Sequence, residues 1–323
     1  MGSAQAAAFL CARGGRLVAG TDISPQARDR FSRQFSGVCT CQEVGDILGN
    51  PKIDAVVVAT PTLYHKRITV EALRAGKHVL CEKPMARTTA DGRRMLEAAR
   101  RTRKILMVAH CRRFDRFWGR FAQIVDHGSL GRPLLWRCVI SGHGPGGWFM
   151  DERLGGGPLF DAAVHNYDFA NLIFGKPVRV IANSIKLVPK ATAIDTANAI
   201  VEYRRGDQLM VSWSWAQGRT HVADVLGPRG SLIFGPGRLA PPVADKGKYS
   251  YFCRVDGAGK EKLVRFAYDP MAMYVSQARH FIECIRGKAP RCLSSGHEAI
   301  KAVSVAEAVL KTAIRGGMRT IGI

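Results

Sequence analysis

His78-Val79-Leu80-Cys81-Glu82-Lys83-Pro84 is a short apolar run that ends in a charged pair and a proline. Proline offers no amide hydrogen to a strand ladder, so it marks where a strand stops. The run reads as a buried strand with Glu82 and Lys83 at its carboxyl end, the side of an open α/β sheet on which ligands bind. Its neighbours follow the same grammar. Ile53 to Ala59 and Ile105 to Ala109 are further continuous apolar strands, and Arg16 to Thr21 and Val38 to Cys41 are shorter ones. Helices fall between them. One starts at Ser24-Pro25, a cap followed by a first-turn proline. One runs from about Tyr64 to Ala75 and stops at Gly76, and one is capped by Thr88 and Asp91 and runs to about Thr102. Continuous apolar strands alternating with helices predict a parallel sheet covered on both faces.

The pattern changes after Arg113. A helix over 116–127, a strand over 134–141, a glycine-rich stretch from Gly144 to Gly157 and a helix from Gly157 to about Phe174 are followed mainly by strands. Arg204-Arg205-Gly206-Asp207 and Gly227-Pro228-Arg229-Gly230 read as hairpin turns. Two helices, 271–285 and 297–314, close the chain. Residues 1–113 are thus expected to form a dinucleotide-binding domain, and residues 114–323 an α+β domain with an open, mainly antiparallel sheet for substrate binding and oligomerisation.

The totals narrow the function. A 46% apolar content supports an ordinary core, and no apolar run approaches the roughly 18 residues that span a bilayer. The N-terminus lacks the basic start of a signal peptide and reads as a helix from Ala4 to Ala12. Nine cysteines without a C-x-x-C pair fit reduced, mostly buried thiols in a cytoplasmic protein. Cys39-Thr40-Cys41 is too tight and isolated for zinc, and no metal is expected. The net charge of +22 asks for an anionic partner or a basic surface. Arg87 to Arg120 alone hold eleven Lys/Arg against three Asp/Glu. No nucleic-acid-binding motif accompanies them, so a solvated helix face near an anionic cofactor is the preferred reading over nucleic acid.

Asp22 follows a strand, where an acid accepts hydrogen bonds from an adenosine ribose and repels a 2′-phosphate, favouring NAD over NADP. Gly2 lies twenty residues earlier and suits the third glycine of the dinucleotide fingerprint. The first strand and the first two fingerprint glycines would then lie upstream of Met1. Met1 is expected to be an internal methionine, with the natural product starting about ten residues earlier.

Asp22, Ala59-Thr60-Pro61-Thr62, His65, Glu82-Lys83-Pro84, Arg112-Arg113-Phe114 and Gly155-Gly156-Gly157-Pro158-Leu159-Phe160-Asp161-Ala162-Ala163-Val164-His165-Asn166-Tyr167-Asp168 occur in that order. The chain in this respect resembles the glucose-fructose oxidoreductase/inositol dehydrogenase/MocA (Gfo/Idh/MocA) family over nearly its whole length. The resemblance implies a Rossmann domain, here N-terminally truncated with its first strand absent, and an open-sheet domain that often mediates oligomers. It implies hydride transfer between NAD and a secondary alcohol of a sugar or inositol-like cyclitol. An NAD-dependent glycosidase of the same fold, or a non-catalytic, truncated paralogue, are the alternatives.

Asp161, His165 and Asp168, spaced i, i+4 and i+7, would share one helix face. His165 is the expected base, since imidazole titrates near neutrality. Lys83 would stabilise a developing alkoxide, and Asp161 would orient substrate hydroxyls. By resemblance, Thr60, Pro61, Thr62 and His65 lie on the loop beneath the pyrophosphate and nicotinamide. Glu82 and Lys83 line the nicotinamide end and Arg113 the mouth. Trp148 and Asp168 are expected to complete the substrate site. A homodimer or homotetramer through the sheet over 197–234 is the expected assembly.

Overall fold

A computed structural model describes residues 1–235, 237 and 248–322. The chain divides into two compact units, one of Met1–Cys111 with Met271–Ile300 and one of Arg112–Pro270 with Lys301–Ile323.

The first unit opens with α1 (Gly2–Cys11), β1 (Ala19–Thr21), α2 (Pro25–Gln34), β2 (Cys39–Cys41) and α3 (Val44–Leu48). It continues with β3 (Ala55–Val58), α4 (Thr62–Arg74), β4 (His78–Cys81), α5 (Thr89–Thr102) and β5 (Leu106–Val108). Local chemistry sets the helix ends. Ser24 Oγ accepts from the Ala27 amide at 3.3 Å, and Pro25 occupies the first turn of α2. Thr88 Oγ1 accepts from the Asp91 amide at 3.0 Å at the start of α5. Such caps are worth about 1 kcal/mol each. The β3-β4-β5 sheet is parallel and its centre, Val79-Leu80-Cys81, is wholly buried.

β1 and β2 form a separate parallel pair, and no ladder joins β1 to β3 among the described residues. On β3, Val57 remains 36% exposed.

The second unit contains α6 (Arg116–Asp126), β6 (Leu135–His143), α7 (Val164–Phe174), β7 (Pro177–Ile185), β8 (Thr196–Tyr203) and β9 (Gln208–Ser214). After these come β10 (Ala216–Gly227), β11 (Gly230–Phe234), β12 (Tyr249–Asp256) and β13 (Glu261–Ala267). The chain ends with α8 (Ala272–Ile285), α9 (Gly296–Arg315) and β14 (Met318–Thr320). Nine strands pair in the order β13-β12-β11-β10-β6-β9-β8-β7-β14, antiparallel except for β6 beside β9. One face of this sheet packs on α6, α7 and the later part of α9. Trp136, Phe121, Phe169 and Phe252 are fully buried there. At about 1.5–3 kcal/mol per fully buried large apolar side chain, this aromatic cluster is the main source of the unit's cohesion.

Helix α8 groups with the first unit although it lies far along the chain. The alanine-rich face of α1 explains this. Ala8 and Ala12 pack against Ala278 and Ile282, and Phe9 meets the edge of Phe281 at 6.2 Å. No helix among the described residues is long and apolar enough to cross a membrane.

Candidate active site

In the first unit the carboxyl ends of β1, β3 and β4 carry the expected residues. Asp22 follows β1 directly. Its Oδ1 accepts from the Ser24 amide at 2.9 Å, and Arg28 donates to its backbone carbonyl at 2.7 Å. The side chain stays exposed. Gly2, at the start of α1, faces Ala59. An added methyl group would meet Ala59 Cβ at 3.8 Å, an ordinary contact, so steric need does not dictate glycine there.

After β3, the Oγ1 atoms of Thr60 and Thr62 are buried and have no hydrogen-bond partner among the described residues. Leaving a hydroxyl in that state costs about 1–3 kcal/mol, so such atoms call for an explanation. His65, fully buried on α4, places Nδ1 2.8 Å from Pro84 O and Nε2 2.8 Å from Thr60 O. Its ring ties the loop after β3 to the loop after β4. That is a positioning task for a residue expected on the loop beneath the pyrophosphate and nicotinamide. Pro61 precedes α4 and fixes the helix entry.

Glu82 and Lys83 follow β4 without a break, as the proline signal predicts. Glu82 is 5% exposed. Gln5 Nε2 donates to its Oε1 at 2.6 Å, and the Lys83 amide donates to Oε2 at 3.2 Å. Gln277 Nε2 in turn reaches Gln5 Oε1 at 3.4 Å. Burial raises the proton affinity of the Glu82 carboxyl above the ordinary glutamate range, against the lowering effect of Gln5 and of the Lys83 charge. Lys83 itself is half-buried. Gln5 and Gln277 were not foreseen. The available signal was a lone amide in the alanine-rich run Ala4-Gln5-Ala6-Ala7-Ala8.

In the second unit the expected single helix from Gly157 to Phe174 is broken. Pro158–Ala162 form a π-helical turn, closed by the Ala163 amide on Pro158 O at 2.8 Å, and α7 begins only at Val164. Gly157, just before the π turn, sits at φ +78°, and a side chain there would collide with the carbonyl oxygen of Ile194. Asp161 lies on the π turn and His165 on the first turn of α7. Asp161 is buried and His165 half-buried.

Asp168 and Arg113 are joined to each other. Arg113 Nε donates to Oδ2 and Nη2 to Oδ1, both at 2.8 Å, with the side chains 4% and 1% exposed. This two-point pair fixes the 3-10 turn Cys111–Phe114 to α7. Both oxygens of Asp168, expected at the substrate site, and two nitrogens of Arg113, expected at the cofactor mouth, are engaged in it. Trp148 lies on a 3-10 turn, Gly147–Met150, stacked on Phe149 with ring centres 3.7 Å apart. The carbonyl oxygen of Trp148 and the backbone of Phe149 would lie 2.6–2.8 Å from any side chain at Gly155.

The first unit's residues fit a dinucleotide. Two buried threonine hydroxyls lack partners among the described residues, a carboxylate stands at the end of β1, and a cation stands at the end of β4.

Comparison with known proteins agrees with this arrangement. Residues 1–110 match the profile described as "Oxidoreductase family, NAD-binding Rossmann fold", and residues 118–233 match the C-terminal domain profile of the same family. The myo-inositol 2-dehydrogenase of Thermotoga maritima is 30% identical over 221 residues, 64% of this chain and 66% of that protein. The inositol 2-dehydrogenase of Rhizobium meliloti is 26% identical over 317 residues, 92% of this chain and 89% of that protein. A levoglucosan dehydrogenase solved in complex with NADH superposes with a TM-score of 0.84, covering 100% of this chain and 96% of that one. At 19% identity it speaks for the fold alone.

Proposed function

The chain belongs to the Gfo/Idh/MocA family of NAD-binding oxidoreductases, and on that footing we propose that it transfers a hydride between NAD and a secondary alcohol of a cyclitol or sugar. The observation that carries the reading furthest is the strand end of β4, where a half-buried lysine follows a buried glutamate held by Gln5.

NAD, when bound, supplies the hydride acceptor. The hydroxyls of Thr60 and Thr62 offer the hydrogen bonds that hold it, and the exposed Asp22 carboxylate accepts from a ribose diol. His65 keeps the Thr60 loop in place through its two carbonyl contacts. Lys83 stabilises negative charge as the substrate hydroxyl loses its proton. His165 takes that proton. Asp161 accepts from a neighbouring substrate hydroxyl and fixes which carbon is presented. Arg113 acts at one remove, by holding Asp168 and with it α7.

His165→Ala should lower kcat by about 10²- to 10⁴-fold, the usual worth of a positioned base, while NAD affinity stays within about twofold. Steady-state NADH formation with inositol, paired with NAD titration calorimetry, separates the two. A variant with unchanged kcat would remove His165 from this role.

Self-association through the open sheet belongs to the same proposal. Val139 and Val222 are direct cross-strand partners on β6 and β10, yet are 45% and 58% exposed. Exposed valines paired on a sheet face support a covering partner, here a second copy of the chain. Val222→Glu should shift the protein to monomer in light scattering, and an unshifted mass would exclude this face.

A further inference from the structure

A cluster of ligating side chains lies in the first unit among residues that the proposed reaction does not use. His280 and Cys284 are one helical turn apart on α8 and share a face. Cys292, in the segment after the helix, returns to them. The ligating atoms of all three lie within 4.8 Å of one another, and all three residues are half-buried. His280 Nε2 and Cys284 Sγ are 3.4 Å apart. Tetrahedral zinc, with Zn–S of about 2.3 Å and Zn–N of about 2.0 Å, sets a sulfur and a nitrogen ligand about 3.5 Å apart.

The segment that carries Cys292 is anchored at its far side. Ser294 Oγ donates to Val108 O at 2.7 Å, the Val108 amide donates to Ser294 O at 2.9 Å, and Ser295 bridges Met107 on β5. The Leu293 amide donates to His280 Nε2 at 3.1 Å. Cys292 is thus held at the edge of the parallel sheet, opposite one face of α8.

We propose that His280, Cys284 and Cys292 form a zinc(II) site with water as the fourth ligand, clamping the end of α8 to the segment along β5. On binding, the two thiols lose their protons to solvent, and the two thiolates balance the 2+ charge. The ring nitrogen gives its lone pair to the ion, and the Leu293 amide hydrogen turns to a thiolate sulfur.

The test loads the reduced full chain with zinc(II) or cobalt(II) and desalts it. One equivalent should be retained, and the cobalt form should show the near-ultraviolet charge-transfer band of thiolate ligation. Cys284→Ser and Cys292→Ser should each weaken zinc binding by at least about 10- to 100-fold, since even outer partners of metal ligands are worth that much. Cys39→Ser, at an exposed cysteine on β2, should leave it unchanged. Circular dichroism checks that each variant folds, and if either serine variant fails to fold, the cobalt spectrum of the unaltered chain decides alone. Absence of the band, equal zinc retention by folded Cys284→Ser and Cys292→Ser, or a Cys284–Cys292 disulfide whose reduction restores no metal uptake would each overturn the proposal.

Discussion

Glu82 and Asp168 are both buried carboxylates, one at a strand end of the first unit and one on a helix of the second, and they are held in opposite ways. Asp168 has a guanidinium against both oxygens. Glu82 has a neutral amide on one oxygen and a backbone amide on the other, with the Lys83 charge near enough only to moderate the effect of burial. The first arrangement is a rigid brace. The second leaves a carboxyl whose charge responds to its surroundings, beside the lysine assigned to the reaction. Buried acids serve stiffness where the countercharge is exact in geometry, and adjustability where it is not.

The comparison breaks most severely at Arg113. Arg113→Ala would take the two-point partner from buried Asp168 and should cost about 3–5 kcal/mol of stability. Urea unfolding measures it, and a loss below about 1 kcal/mol would mean that solvent already reaches the pair. Gln5→Leu should cost less, about 1–3 kcal/mol, by removing the hydrogen-bond donor of Glu82 while keeping the packing of α1.

The smallest effect is the most diagnostic. The proton affinity of Glu82 is higher in the folded chain than in the unfolded one. The folded state therefore holds this proton more tightly. The stabilisation is fully present below the ordinary glutamate pKa and is lost as pH rises from there through the raised folded value. Glu82→Gln should flatten that decline, which unfolding curves across the acid-to-neutral range will reveal. Parallel pH profiles for the two proteins would deny Glu82 its special setting.

The sequence made the local half of this legible. The strand end at Pro84, the Ser24-Pro25 and Thr88–Asp91 caps and the stop at Gly76 each depend on neighbours a few residues away, and each stands as read. The partners did not show, because Gln5 and Glu82 are 77 residues apart, and Arg113 and Asp168 are 55 apart. No short-range pattern encodes such pairs. The need for glycine at 157 was hidden for a related reason, since the carbonyl that excludes a side chain there belongs to Ile194. The edge strand β13 was passed over because charges such as Glu261, Lys262 and Arg265 interrupt the apolar alternation, as edges commonly require. The His280–Cys284 spacing was present on a predicted helix, but Cys292 completes the cluster only through the fold.

The most direct test of the central claim is reduction of NAD by the full chain, followed as NADH absorbance, with myo-inositol, scyllo-inositol and a panel of aldoses. The account predicts NADH formation with at least one of them, preferred over NADPH formation from NADP, and abolished in Lys83→Ala. A folded chain that binds NAD yet forms no NADH with any of these alcohols, or one whose turnover survives the loss of Lys83, would contradict it.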